Sequence, residues 1–278
     1  MSKHTYFVYI SLLLLIACGS EISSETTPTN TEPTPNTGPE LPQDGKLTLP
    51  PCDQIASGDQ SACETTIYQL KDMAAVPDDS RVAIIGVVTG LRMNADNEYS
   101  HLILAIPVND PSYVGQDNSA VWVYLNNSDI DTIGQQPPVV GSYIQLVGSV
   151  KTHFGQRQLE KVEQVVNLTG TASVPEPIEV LSTDIALNGP RAWTLEGALV
   201  RISNIEVINA TPIPGPGDGL DGVSTYEYEV SGGLIINDFI YTGLPQPAAG
   251  DQYAEITGFL RYANNTFKLE PRNAQDIR

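Results

Sequence analysis

The sequence is short of positive charge, histidine, cysteine and helical periodicity. It sets 14 Lys and Arg against 33 Asp and Glu, a formal charge of −19 over 278 residues. That balance is too acidic for bulk electrostatic attachment to nucleic acid or to anionic lipid. Three histidines and three cysteines leave little from which to build a metal centre or a nucleophile–base pair. His101 opens an apolar strand with no G-x-S-x-G context, so it reads as a structural histidine rather than a general base. The one long apolar run, "HTYFVYISLLLLIA" (His4 to Ala17), is too short for a comfortable membrane span and has the layout of a secretory signal.

The residues after that run are poor in apolar side chains. From Gly19 to Lys46 the chain is mostly Ser, Thr, Pro, Glu, Asn and Gly, which cannot offset the entropy of ordering itself and reads as a disordered tether. Cys52 and Cys63 come next, an even pair close in sequence; in an exported protein this is most simply a disulfide.

Beyond Thr66 the signal is β. Short runs rich in Val, Ile, Leu and Tyr ("RVAIIGVVTGLRM", "SHLILAIPV", "AVWVYLN", "SYIQLVGSVKTHF", "RQLEKVEQVVNL") are separated by polar turns. Five strands in roughly a hundred residues is the size of a small closed barrel. "TTIYQLKDM" (Thr65 to Met73) is either a single helical turn or a leading strand. The second half repeats the plan at an offset near 110 residues, with Gly197 taken as the counterpart of Gly86 and Leu269 of Leu159. The expected fold is all-β: two tandem five-stranded OB-like barrels, at residues 51–168 and 191–278, joined by a Pro-containing connector at 169–190.

Two resemblances attach to these residues. "LLIAC", with Leu15, Ala17 and Cys18 in place, resembles the lipobox of bacterial lipoproteins. It implies a signal peptide at 1–17, a lipid on Cys18, a lipidated tether over 18–50 and a place in the cell envelope, at the outer membrane. "VAIIGVVTG", "VGSYIQLVGSVKTHFGQRQLE", "LEGALVRISNIEVINA" and "ITGFLRYANNTFKLEPRNAQDI" are similar to the OB-fold modules of secreted bacterial nucleases. There such modules precede an endonuclease/exonuclease/phosphatase-type catalytic domain, which is not found in residues 66–278.

Little else in the chain carries chemistry. "GDGLDG" (Gly217 to Gly222) has G-x-G-x-x-G spacing, but it precedes a strand rather than a helix, and Asp218 and Asp221 would repel a pyrophosphate. Those two carboxylates are weak candidates for calcium, set against a plain solvated turn. Asp96, Glu98, Asp129 and Asp131 lie in polar loops with nothing to gather them. No cofactor is implied.

The remaining signal is where the bases sit. Of the six Lys and Arg in residues 64–168, Lys151, Arg157 and Lys161 fall in one hairpin. Of the six in residues 169–278, Arg261, Lys268, Arg272 and Arg278 fall in or just beyond its repeat. Interleaved with His153, Phe154, Tyr262 and Phe267, they form a candidate ligand-binding edge suited to backbone contact and base stacking. The competing reading is that these cations guard an exposed hairpin against aggregation. The function expected on balance is a non-catalytic, membrane-anchored binding or scaffold lipoprotein with an envelope-protein partner. The alternative is a nucleic-acid-binding accessory subunit of a separate secreted nuclease, which the acidic charge disfavours.

Overall fold

The computed structural model describes residues 45–56, 59–94, 98–126, 128–129, 133, 138–212 and 226–278. Cys18, most of the tether, Asp96, Asp131, Asp218 and Asp221 lie outside the described residues.

The first barrel is built from β2 (Arg81–Met93), β3 (Tyr99–Ala105), β4 (Ala120–Tyr124), β5 (Tyr143–His153) and β6 (Gln156–Asn167). Each strand pairs with the next in the order β2-β3-β4-β6-β5, and β5 returns to β2, which closes the sheet. The fifth strand lies parallel to the third, with Val123 opposite Leu159, and this is the OB arrangement. Strand alternation sends Ile84, Leu102, Leu104, Val121, Val123, Ile144, Leu146 and Leu159 inward, all with no exposure. Complete burial of such side chains is worth about 1.5–3 kcal/mol each.

A short strand β1 (Cys63–Glu64) adds in parallel to β2, and one helical turn α1 (Ile67–Lys71) follows. Thr66 starts that turn by a reciprocal cap. Its hydroxyl accepts from the Gln69 N–H at 3.1 Å, while the Gln69 side-chain Oε1 accepts from the Thr66 N–H at 3.2 Å. A turn this short is not stable as an isolated helix. Ile67 and Leu70, fully buried against the barrel core, keep it in place.

The second barrel repeats the topology with β8 (Leu199–Asn209), β9 (Glu227–Val230), β10 (Leu234–Asn237), β11 (Gln252–Ala263) and β12 (Thr266–Glu270). The order is β8-β9-β10-β12-β11, closed by β11 against β8. The repeat reaches further back than the sequence suggests. A two-residue strand β7 (Ile178–Glu179) adds in parallel to β8, and a helical turn α2 (Ser182–Ile185) follows it closely, as α1 follows β1. Ile185 and Ala186, inside the stretch read as a connector, are buried in the second core.

Register corrects one sequence-level match. Val82 faces Gly148 in the first barrel and Val200 faces Gly258 in the second, so Val82 and Val200 are counterparts. Counting along the strand, Asn204 therefore takes the place of Gly86, and Gly197 stands two residues before β8 begins. The offset of 110 residues holds for the last hairpin, where Val150 pairs with Leu159 and Leu260 with Leu269. It fails earlier because the loops between the strands differ in length.

The end of the segment read as tether is also fixed. Leu47 exchanges two hydrogen bonds with the Gln145 amide, at 2.7 and 3.1 Å, and Lys46 pairs with Glu64 at 2.7 Å. Pro51 bridges Glu64, and Cys52 is bonded to Cys63 as the sequence anticipates. Removing this disulfide with the double substitution Cys52→Ser/Cys63→Ser should cost roughly 2–4 kcal/mol of unfolding free energy in urea titrations. An unchanged midpoint would mean that hydrogen bonds alone hold this edge.

Candidate ligand-binding site

The two barrels share a seam. On β3 and β4, Ile103 and Trp122 stand next to inward-facing neighbours and therefore point out of the first barrel. They meet Leu199 and Phe259 of the second barrel in an apolar cluster of buried residues. Trp122 lies edge-on to Phe259, with ring centroids 6.4 Å apart, and its Nε1 donates to the Leu260 carbonyl at 3.2 Å. Gly90 makes room: a Cβ there would lie 2.4 Å from the Phe259 ring. Phe239 fills the adjoining space with a guanidinium on each flank, Arg92 of β2 at 3.9 Å and Arg261 of β11 at 3.5 Å from the ring centroid. Arg92 Nε also donates to the Phe239 carbonyl at 2.8 Å. Such cation–π contacts gain strength where water is excluded.

The seam covers the β3–β4 surface, the second and third strands that serve as the ligand platform of OB-folds. His101 opens that surface and packs against Phe239 (5.0 Å), Tyr124 (5.3 Å) and Trp122 (6.0 Å). Burial, reinforced by Arg261 and Arg92, holds its pKa well below the usual imidazole value, so the ring stays neutral. At the other end of the seam, Glu196 receives Lys71 and accepts from the Gln156 amide at 2.8 Å. The Asn118 N–H donates to the Thr194 carbonyl at 2.6 Å, and Arg191 pairs with Asp117 at 2.5 Å. An open hollow of about 330 Å³ at the seam's edge is lined by Thr89, Gly90, Leu91, Val140, Ile240 and Arg272.

The basic residues of the two hairpins are distributed differently from a continuous cationic edge, and each has an acidic side chain beside it. Lys151 lies 3.5 Å from Asp79, Arg157 3.0 Å from Asp78 and Lys161 3.9 Å from Glu160. Arg261 is 3.6 Å from Glu270, Lys268 2.6 Å from Glu227, Arg272 2.6 Å from Asp276 and Arg278 3.0 Å from Glu255. Two of them are interior groups. Arg157 closes the end of the first barrel by donating to the Leu70 and Val76 carbonyls. Lys268 is 1% exposed and shares Glu227 with the Asn237 amide. Phe267 is likewise core. Lys161 is exposed at a left-handed backbone position, φ 52°.

Of the aromatic members of the expected edge, Phe267 is core, while His153, Phe154 and Tyr262 lie near one another. His153 and Phe154 are both exposed, with ring centroids 4.4 Å apart, at the β5–β6 turn. The following residue, Gly155, lies so close to the Tyr262 ring that a Cβ would come within 2.6 Å of it. Beyond Tyr262, at 4.5 Å, is Trp193. Nothing in the sequence singles out Trp193 or Phe239 as members of a site. Trp193 sits in a turn-rich stretch ahead of β8, and only the prolines and glycines around it hint at a surface position.

Glu270 is fully buried behind the seam. Burial raises its carboxyl from 4.5 to about 7; Arg261 and Lys268 oppose the rise and Asp238 adds to it. Among the described residues no cluster of three or more His, Cys, Asp or Glu is gathered to hold a metal ion.

No protein-family model and no curated protein matches the chain. Among solved structures, the hypothetical protein ygiW from E. coli is similar at 13% identity, covering 40% of this chain and 100% of that one, with a TM-score of 0.29. Rim1, a mitochondrial single-stranded DNA binding protein from S. cerevisiae, is similar at 17% identity over 34% of this chain and 99% of its own, with a TM-score of 0.23. A deletion mutant of the single-stranded DNA binding protein from Thermus aquaticus covers 70% of this chain and 90% of its own at 12% identity and a TM-score of 0.21. Likenesses of this strength carry no argument about what this chain binds.

The raised carboxyl has a consequence for stability. The folded state keeps Glu270 protonated up to about 7, whereas the unfolded chain releases that proton near 4.5. Between those values the folded state binds more protons, so this group's contribution to stability falls as pH rises through the window. Glu270→Gln should flatten that fall, seen as a smaller drop in Tm between pH 5 and pH 8 than in the parent. Parallel Tm profiles would show that Glu270 does not titrate in this range.

Proposed function

We propose that the chain is a non-catalytic binding lipoprotein of the bacterial cell envelope, anchored through Cys18 and presenting its two OB-like barrels as one body. The observation that carries the binding half of this reading is the seam. Trp122 and Phe259 are completely buried where the barrels meet, so the barrels present one joint surface rather than two independent modules. Support for the anchor comes from "LLIAC" and the polar tether behind it.

The nuclease-accessory alternative asks the two hairpins to offer cations to a phosphate backbone. All seven bases counted there already neighbour acidic side chains, and a polyanion would have to displace those while approaching a chain of charge −19. Counterion release, the usual source of such affinity, is correspondingly small.

Two measurements test the reading. Cys18→Ser should abolish lipid attachment and move the protein out of the membrane fraction; unchanged maturation and fractionation would remove the anchor. Labelled single-stranded DNA, titrated between about 50 and 200 mM salt, should show no tight, salt-sensitive complex. Such a complex would put the nuclease-accessory reading first.

A further inference from the structure

We infer that the aromatic ledge formed by exposed Phe154 and Trp193 with half-buried Tyr262 is a binding site for a neutral oligosaccharide. The inference rests on the binding-protein reading and names its ligand class.

The internal repeat supplies a control for what the fold itself requires. Both barrels close their last hairpin with a two-residue turn in which both residues have positive φ, the geometry that suits the twist of the strands. In the second barrel those residues are Asn264 (φ 54°) and Asn265 (φ 63°), a residue type that tolerates this region. In the first barrel the same two places hold Phe154 (φ 47°) and Gly155 (φ 92°). A bulky aromatic side chain is unfavourable in that conformation. Phe154 gains no burial in exchange, since it is 77% exposed. Neither turn geometry nor the core accounts for phenylalanine here.

The surroundings of Phe154 indicate what the side chain serves. The turn rests on Tyr262, and Trp193, 53% exposed, lies next to Tyr262 on the far side. Rings from both barrels therefore gather at this turn, His153 and Phe154 on it, Tyr262 beside Gly155 and Trp193 next to Tyr262, at the loop between the fourth and fifth strands, one of the two OB loops that contact oligonucleotides and oligosaccharides. Aromatic side chains present about 150–250 Å² each, so two half-exposed or better rings with partial help from Tyr262 and His153 offer roughly 300–400 Å². A standard protein partner needs about 800 Å² per side, so the ledge is about half as large as a protein interface requires. It matches a few sugar rings, whose C–H faces carry slight positive charge and sit well on the negative face of an aromatic ring. Charge decides between glycans: with the bases already paired, the overall charge of −19 repels anionic polysaccharide and nucleic acid alike.

The test uses the full-length protein in detergent, titrated with laminarihexaose, cellohexaose and chitohexaose. The chain has two tryptophans, Trp122 buried in the seam and Trp193 on the ledge, so emission reports the ledge directly. At least one hexaose should shift Trp193 emission to saturation. Phe154→Asn, which gives this turn the residue its counterpart has, should lower affinity about tenfold while leaving Tm equal or higher. Trp193→Ala should weaken binding comparably by calorimetry. The inference is overturned if no hexaose binds, or if binding survives both substitutions unchanged. It is also overturned in favour of a second copy of the chain if Phe154→Asn abolishes self-association in sedimentation. Oligo-dT binding that depends on Phe154 overturns it in favour of nucleic acid. None of these titrations involves Cys18, so they stand or fall separately from the lipid anchor.

Discussion

Burial of Trp122 against Phe259 is the contact on which the rest of the molecule depends. An outward-facing tryptophan on a five-stranded barrel would ordinarily be a surface residue available to a ligand. Here it is enclosed, and its indole N–H is satisfied by a backbone carbonyl of the neighbouring barrel. Everything nearby follows from that enclosure: a glycine at position 90 to admit the phenylalanine ring, two guanidinium groups flanking Phe239, and a neutral His101. Large aromatic groups buried together are costly to expose again, so the domains of this chain are domains by topology more than by independence.

The closed seam also moves the functional question to a different surface. With most of the β3–β4 platform occupied from within, the accessible features among the described residues include the hollow at the seam's edge and the β5–β6 turn with what the second barrel adds beside it. The ledge of Phe154, Tyr262 and Trp193 exists because the seam sets the β5–β6 turn against Tyr262. A single barrel would carry half of it.

Much of the architecture is legible in the sequence, and the reasons are specific. The strands are readable because alternation and turn residues are local properties, and β2 spans the same residues as the run "RVAIIGVVTGLRM". The disulfide is readable because Cys52 and Cys63 are an even pair close in sequence, with no matching histidines to make them metal ligands. The pairings of Lys151, Arg157 and Lys268 are not readable, because the acids that face them come from elsewhere: Asp79 and Asp78 precede β2, and Glu227 belongs to another strand of the second barrel. The match of Gly86 to Gly197 is misleading because a glycine is identifiable by letter while register is fixed by pairing across the barrel. Phe239 escapes notice since nothing local distinguishes a turn phenylalanine from one that two arginines will enclose.

The fixing of residues 46–52 to the first barrel bears on how the molecule withstands being pulled. Load arriving along the chain from its N-terminal side meets the Lys46–Glu64 ion pair and the Leu47–Gln145 hydrogen bonds first. Hydrogen bonds of this kind yield within their own short lifetimes when strained one after another. The next connection is a covalent bond from Cys52 to Cys63, which hands the force to β1 and through it to β2, the first strand of the closed sheet. The barrel is thus gripped by a clamp whose strength is that of a chemical bond, and a pull from that side is handed past the weaker hydrogen bonds into the closed sheet.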